Sequence, residues 1–402
     1  MIYKLFKNTY FLLVLFMFFS LISCGQTNSL LLKPKSTKII TGANQTDLYL
    51  ELLKNKHIAI VANQTSIIIN RNENQTHLID SLLNLNIKIK KVFSPEHGFR
   101  GKADASEKVA DGIDLKTGLP IISLYGKNKK PSKEQLQGIE LVVFDIQDVG
   151  VRFYTYISTM HYVMEACAEA GIPVVVLDRP NPNGHYIDGP TLEIEYKSFV
   201  GMHPVPLVYG MTIGEYAQMI NREHWLQNKI ECDLTIIPLK NYTHQSKYSL
   251  PVRPSPNLPN DTAINLYPSL GFFEGTIINA GRGTENQFQQ YGAPFFPKSE
   301  FNYIPQANFG SKYPKHKEKT CYGVQLNQTK KLDSININWL IDAYQKTPKN
   351  VSFFGNTFTI HAGSPTLEVQ LKAGLSGEEI RNSWQPKIEE FKNIRKKYLI
   401  YE

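Results

Sequence analysis

Cysteine is scarce here, with four among 402 residues, and no two stand close enough for a Cys-x-x-Cys metal or redox site. After Cys24 the remainder are Cys167, Cys232 and Cys321. That odd number argues against a disulfide framework and reads as three buried small hydrophobes. No His-Glu-x-x-His occurs, and no two histidines share a metal-ligand spacing on one predicted helix. Neither a Walker-type loop nor Gly-x-Gly-x-x-Gly follows the first predicted strand, which argues against a bound nucleotide. No Gly-x-Ser-x-Gly elbow presents a serine nucleophile. Basic residues do not alternate with aromatics, so the formal charge of +8 is no nucleic-acid signature. There is no internal repeat, and only one long apolar run.

That run is residues 11–22 (FLLVLFMFFSLI), preceded by Lys4 and Lys7. It is short for a mature spanning helix and reads as an export signal. It ends Leu21-Ile22-Ser23-Cys24-Gly25, which resembles the lipobox of bacterial lipoproteins. Cleavage before Cys24 and lipidation of that cysteine are therefore expected. The alternatives are an ordinary signal with a chance cysteine, or an uncleaved anchor. Two or three acyl chains hold a protein on a membrane where one does so only marginally. The expected location is the cell envelope, on its periplasmic or surface side. Loss of residues 1–23 removes two lysines and no acid, leaving a charge of +6, a modest basic excess suited to anionic wall or membrane surroundings.

About 380 residues remain, enough for two domains with substantial cores. Short Val- and Ile-rich runs at 57–62 (HIAIVA), 87–93, 121–124, 141–146 (LVVFDI), 172–177 and 234–239 suit buried parallel strands. Helical patterns lie between them at 77–85, 132–138 and 154–171. A further helix at 212–225 opens with the capping-box spacing of Thr212 and Glu215. This alternation predicts an α/β fold with a Rossmann-like parallel sheet. The Pro-rich stretch 251–268 is expected to be extended and to mark a domain junction. The predicted organisation is a signal at 1–23, a tether at 24–37, the Rossmann-like domain at 38–255 and a smaller α/β or α+β domain at 256–402. In the latter, strands are expected at 321–326 and 351–360, and helices near 337–344 and 388–398. Arg395, Lys396 and Lys397 read as a solvated helix end.

Ligands of open parallel sheets bind beyond the carboxyl ends of the strands. The first predicted strand is followed by Asn63-Gln64-Thr65, the second by Ser94-Pro95-Glu96-His97-Gly98-Phe99-Arg100-Gly101. The 141–146 run carries Asp145 near its end and is followed by Gln147, Asp148 and Arg152; the 172–177 run is followed by Asp178-Arg179-Pro180-Asn181-Pro182. Four strand ends thus deliver Asn, Glu, His, Asp and Arg to one edge, which points to a site for a polar ligand. Each loop has a plainer reading. The Asp178 loop suits a simple turn, Asp145 suits a buried acceptor of backbone hydrogen bonds, and His97 suits a residue that orients Glu96. His161, His203, His224 and His361 read as packed or surface histidines. Glu96, His97, Asp145 and Asp148 around one ion would make a metal-dependent hydrolase, the weaker alternative, and a sugar-binding lipoprotein without catalysis is another.

The Ser94–Gly101 run, Phe144-Asp145-Ile146-Gln147-Asp148-Val149-Gly150-Val151-Arg152-Phe153-Tyr154-Thr155-Tyr156, Asp178-Arg179-Pro180-Asn181-Pro182, Phe273-Glu274-Gly275-Thr276, Gly281-Arg282-Gly283-Thr284 and Gly292-Ala293-Pro294 together resemble the exo-β-N-acetylmuramidases. The likeness runs from about residue 38 to the end of the chain. It implies a Rossmann-like domain, a smaller C-terminal domain, a cleft between them, and release of N-acetylmuramic acid (MurNAc) from non-reducing ends of peptidoglycan fragments, without metal or other cofactor.

Glycoside hydrolysis commonly uses two carboxyl groups flanking the scissile bond. The resemblance implies Glu96 as the principal one, oriented by His97, with Glu274, Asp145 or Asp148 as the second. A third possibility is assistance by the substrate's own 2-acetamido group, held by an aspartate. Asn63, Arg152, Tyr154, Arg179, Asn181 and Arg282 are the expected substrate contacts. The lactyl carboxylate of MurNAc calls for an arginine fork; Arg282 is favoured over Arg152 and Arg179, and the plainer reading makes any of the three a scaffold partner of an acid. One departure is Ala280, where many members carry an acid just before Gly-Arg-Gly-Thr. It is read as a tolerated substitution, because Glu96 and Glu274 remain.

Overall fold

Strands with no polar face need cover on both sides, and the central strands of this protein receive it. The computed structural model describes residues 38–70, 72–96, 98–100 and 111–402. The expected export signal, Cys24 and His97 lie outside the described residues. The first nine strands are β1 (His57–Ala62), β2 (Ile67–Ile69), β3 (Gln75–His77), β4 (Lys88–Ser94), β5 (Gly112–Ile113), β6 (Pro120–Ser123), β7 (Leu141–Asp145), β8 (Val174–Leu177) and β9 (Leu234–Ile237). Seven of them form one sheet in the order β5-β6-β4-β1-β7-β8-β9, while β2 and β3 form a small hairpin. Every pairing in the large sheet is parallel except β5 with β6 at its edge. All six strands expected in the Rossmann-like half are present.

Strands β7 and β8 are buried throughout, and β1 at every position but His57. Alternate residues feed opposite layers, as the strand period of two requires. Ala59, Val61, Val142, Phe144, Val174 and Val176 pack with Ile157, Met160, Ile213 and Tyr216 of the helices Tyr156–Ala170 and Ile213–Arg222. Ile58, Ile60, Leu141, Val143, Val175 and Leu177 pack with Tyr49, Leu53, Leu78 and Leu82 of the helices Thr46–Leu53 and Leu78–Asn84. Caps fall where the sequence places them. Thr212 and Glu215 form a capping box, and the helix Tyr156–Ala170 stops at Gly171 in the left-handed conformation.

The C-terminal half adds a three-stranded antiparallel sheet, β10 (Gln290–Ala293), β11 (Asn302–Tyr303) and β12 (Cys321–Gln325), ordered β10-β12-β11. Five helices accompany it: Asp261–Leu270, Asn338–Lys346, Phe358–Ala362, Thr366–Lys372 and Gly377–Arg395. Leu340, Phe358, Leu371, Trp384 and Phe391 from these helices join the same apolar core as one face of the large sheet. The fold is α/β with a smaller C-terminal part of helices and a small sheet. Cys167, Cys232 and Cys321 are free and buried, as expected. Among the described residues no helix is long and apolar enough to cross a membrane.

Three expectations are corrected. The stretch 251–268 is not extended throughout, since Asp261–Leu270 is a helix that contains Pro268. A proline there cannot bond to the carbonyl of Ile264 four residues back, and that carbonyl instead accepts from the Asn183 amide at 3.1 Å. The expected strand at 351–360 is an irregular segment followed by the helix Phe358–Ala362. Gly355 packs backbone to backbone on Gly275, with its N–H on the Gly275 carbonyl at 2.8 Å, and the would-be strand keeps one isolated bridge, Thr276 with Phe354. Finally, Arg395 is no solvated helix end: its Nε donates to the Gly210 carbonyl at 3.0 Å, while Lys396 and Lys397 are exposed.

Candidate active site

The four loops predicted to converge leave the carboxyl ends of β4, β1, β7 and β8, which are adjacent in the sheet. Most of their polar groups are satisfied by one another beneath the surface. Asp145 is fully buried and takes Arg179 Nε at 2.6 Å and Nη2 at 2.8 Å, so a fork offered by the sequence for a substrate carboxylate is occupied by a scaffold acid. Asn63 donates to the Tyr156 hydroxyl at 2.9 Å and accepts from Thr65, and the Asn181 amide donates to the Met211 carbonyl at 2.8 Å. Asp148 accepts from the Gly150 N–H at 2.7 Å and from the Tyr209 hydroxyl, while its Oδ1 is buried without a hydrogen-bond partner. Burial pushes the Asp148 carboxyl up to about 6, against those two bonds.

Arg152 is likewise enclosed. It has no exposed surface and, among the described residues, no acid partner, and it donates to the carbonyls of Pro190 (2.6 Å), Val205 (2.9 Å), His361 (3.2 Å) and Ala362 (2.8 Å). Burial pulls its guanidinium down to about 9, so it stays charged at neutral pH. Its work is to tie the loop after β7 to the helix Phe358–Ala362.

Above this buried layer lies an open cleft of about 170 Å³. Four residues singled out by sequence line it: Glu96, Tyr154, Glu274 and Arg282. Asn63, Asp145, Asp148, Arg152, Arg179 and Asn181 are not among its lining residues. Sequence reasoning missed Tyr125, Phe153, Thr155, Phe199, Ser255, Asn257, Tyr267, Phe288 and His361, which also line it. Phe153 and Thr155 lie inside the matched Gly150–Tyr156 motif, a usable signal. Ser255 and Asn257 come from the Pro-rich stretch, where Pro254 accepts the hydroxyls of Tyr154 (2.8 Å) and Tyr156 (3.3 Å) and so pins that strand of chain to the sheet edge.

Among the described residues two carboxyl groups reach the cleft. Glu96 follows β4, and its Oε2 accepts from the Thr155 hydroxyl at 3.0 Å. Glu274 sits in the turn Gly271–Gly275 and meets Arg282 side-on, Nε to Oε1 and Nη2 to Oε2, both at 3.0 Å. Burial works against the Glu274 charge, but Arg282 and then Lys315 outweigh it and hold the carboxyl at about 2. Lys315 takes part from behind, its ammonium on the carbonyls of Phe273 (2.6 Å) and Glu274 (3.2 Å). For Arg282, burial is again opposed and outweighed, by Glu274 first and by Tyr267 and Glu96 after it.

The Arg282 turn depends on its flanking glycines. Gly281 and Gly283 both have φ of +79°, and a Cβ on Gly283 would lie 2.6 Å from both the Gln306 carbonyl oxygen and Pro314 Cγ. Ala280, the departure from the family pattern, is 2% exposed and packs in the apolar core, so a small apolar side chain fits its place. Phe288 lies under the Arg282 guanidinium at 5.2 Å and edge-on to Tyr267 at 4.7 Å, which in turn meets Phe153 at 5.1 Å. The floor is therefore aromatic and the polar groups stand on its walls. On the opposite wall Phe199 stacks on Tyr162 and carries Lys129 over its ring at 4.7 Å.

His361, read from sequence as a packed or surface histidine, is on the cleft wall. Its Nδ1 is 2.8 Å from the Thr357 carbonyl, which fixes the proton there and leaves Nε2 as an acceptor. Burial lowers its pKa, so it is neutral at neutral pH. His161 and His203 are buried against each other and His224 is exposed, in keeping with their reading. Among the described residues no three histidine, cysteine, aspartate or glutamate side chains gather as a metal site requires.

Comparison with known proteins gives a consistent set of likenesses. Residues 58–262 match the family described as "Exo-beta-N-acetylmuramidase NamZ, N-terminal", and residues 265–401 match its C-terminal counterpart. The chain is 41% identical over 393 residues to the peptidoglycan beta-N-acetylmuramidase NamZ of Bacillus subtilis (strain 168), covering 91% of this chain and 92% of that one. Two crystal structures of DUF1343 family proteins from Bacteroides fragilis NCTC 9343 superpose on it. One has a TM-score of 0.84 at 45% identity, covering 91% of this chain and 99% of that one. The other has a TM-score of 0.78 at 27% identity, covering 90% and 99%.

Proposed function

Because the chain belongs to the exo-β-N-acetylmuramidase family over both its halves, we propose that it is a glycosidase that releases MurNAc from the non-reducing ends of peptidoglycan fragments. The observation that carries this reading is the pairing in one cleft of Glu96 with Glu274, the two carboxyls that the family likeness singles out. Glu96, held by Thr155, protonates the glycosidic oxygen as the bond to the leaving sugar breaks. Glu274, kept ionised by Arg282 and Lys315, faces the positive charge that develops on the MurNAc ring, and water then adds at the anomeric carbon and returns a proton to Glu96. Its side-on pairing uses Arg282 Nε and Nη2, and the Nη1 hydrogens are then placed to take the lactyl carboxylate. The aromatic floor of Phe153, Tyr267 and Phe288 suits the apolar face of a sugar ring.

Asp145, Asp148, Arg152 and Arg179 form the buried frame of this site, a reading supported by their burial and by the bonds of Asp145 with Arg179, Asp148 with Tyr209 and Arg152 with the Ala362 carbonyl. The run Leu21 to Cys24 supports export and lipidation of Cys24, which would place the enzyme in the envelope beside its substrate.

The test uses the soluble chain from Gly25 and a MurNAc–GlcNAc disaccharide with MurNAc at the non-reducing end, free sugars being followed by mass spectrometry. Free MurNAc is the expected product. Binding of the disaccharide without any released sugar would instead mark a sugar-binding lipoprotein.

A further inference from the structure

Apolar side chains normally leave water and small polar ones tolerate it, but the loop between β11 and β12 does the reverse. Gly310, Ser311 and Pro314 are buried, while Phe309 is 57% and Tyr313 90% exposed. The loop is not slack. Asn308 and Ser311 close it with an antiparallel bridge, and the Gly310 carbonyl accepts from the Asn257 amide at 2.6 Å. Further along, Gln306 N–H bonds the Gly283 carbonyl at 2.8 Å, the Asn308 amide bonds the Thr284 carbonyl at 3.2 Å, and Pro314 fills the space that Gly283 leaves. Asn257 lines the cleft, and Gly283 follows Arg282, which also lines it. The loop that carries both exposed aromatics is thus bonded to the wall of the cleft at two points.

We propose that Phe309 and Tyr313 form a stacking platform for the glycan on the leaving-group side of the scissile bond, receiving sugars beyond the first two. This rests on the muramidase reading of the cleft. An exo enzyme holds its terminal sugar in the cleft, so any further sugar that reaches the rim belongs to the remaining chain. An aromatic face exposed on a rigid loop meets the apolar face of a pyranose at little cost in entropy. Charge agrees with this occupant. Lys312 and Lys319 are exposed on the same segment, and every second sugar of a peptide-free glycan chain carries a lactyl carboxylate. Extra sugars bound here tighten binding without touching the reacting bond, so the platform makes the enzyme prefer chains over the free disaccharide.

The experiment measures affinity by calorimetry in the full-length soluble protein carrying Glu96→Gln, so that bound sugars are not consumed. The ligands are the MurNAc–GlcNAc disaccharide and the tetrasaccharide made of two such units. Tyr313→Ala is expected to weaken tetrasaccharide binding roughly tenfold and disaccharide binding less than twofold, with Phe309→Ala similar and Tyr313→Phe close to the parent. Equal loss for both ligands would mean a structural role, and no loss for the tetrasaccharide would mean no platform; either overturns the proposal. Sugar release by the protein with Glu96 intact, read in parallel, tests the muramidase reading separately, because the affinity difference does not depend on turnover.

Discussion

Arg282 grips both oxygens of Glu274 from the side, Nε to Oε1 and Nη2 to Oε2, each at 3.0 Å. The pair sets the charge of the cleft, and its geometry needs a planar fork. Arg282→Lys keeps the charge but loses the second bond. Loss of one charge-assisted bond costs about 1.5–3 kcal/mol, which is roughly ten- to a hundredfold in kcat/KM for MurNAc release. Steady-state kinetics on the disaccharide check this.

The same pair gives the protein an acid limb. The Glu274 pKa is depressed from its ordinary 4.5 to about 2. Its stabilising contribution is therefore full above about pH 4.5 and is lost as pH falls toward about 2. Glu274→Gln should be less stable than the parent at neutral pH, with the half-buried Arg282 left without its acid, and should show a shallower loss of stability below pH 4.5. Urea melts at pH 3, 4, 5 and 7 read the difference.

Asp148 titrates the other way. Its pKa is raised from 3.8 to about 6 by burial, so the folded state holds a proton that the unfolded state releases, and stability falls as pH rises from about 4 to about 6. Asp178, raised to about 7 by burial, adds a slope of its own. Asp148→Asn removes one of the two, and the stability lost between pH 4 and pH 6 should shrink by about 2 kcal/mol. An unchanged slope would mean that Asp148 is not the titrating group.

Arg152 donates to four carbonyls. Arg152→Met would leave four buried acceptors short of a donor and destabilise the fold by about 3 kcal/mol or more. Its effect on chemistry should come through the displaced helix Phe358–Ala362 and His361. Thermal melts should fall by several degrees, and the disaccharide KM measured well below the melt should change little.

Much of this was legible before any coordinates. Strands buried on both faces read as unbroken Val and Ile runs, so β1, β7 and β8 could be placed, and with them the edge where Glu96 emerges. Glu274, Arg282 and Tyr154 were reached only through motif likeness, since nothing in their local pattern separates a cleft residue from a buried one. Asp145 and Arg179 show why: a conspicuous acid and arginine at strand ends proved to be partners of each other. Pro268 misled because its helix is supported by a side chain 85 positions earlier, Asn183, a tertiary bond invisible to local rules. Phe199, Asn257 and His361 come from segments far apart in the chain and meet only when the sheet and the C-terminal helices share one core.

Turnover of the MurNAc–GlcNAc disaccharide by the Glu96→Gln protein, set against the parent, tests the central assignment most directly. With the fold verified by an unchanged melting curve, the account predicts a loss of roughly a hundred- to ten-thousandfold in kcat, the share that a positioned acid supplies. Free MurNAc released by the variant at a rate close to that of the parent would contradict it.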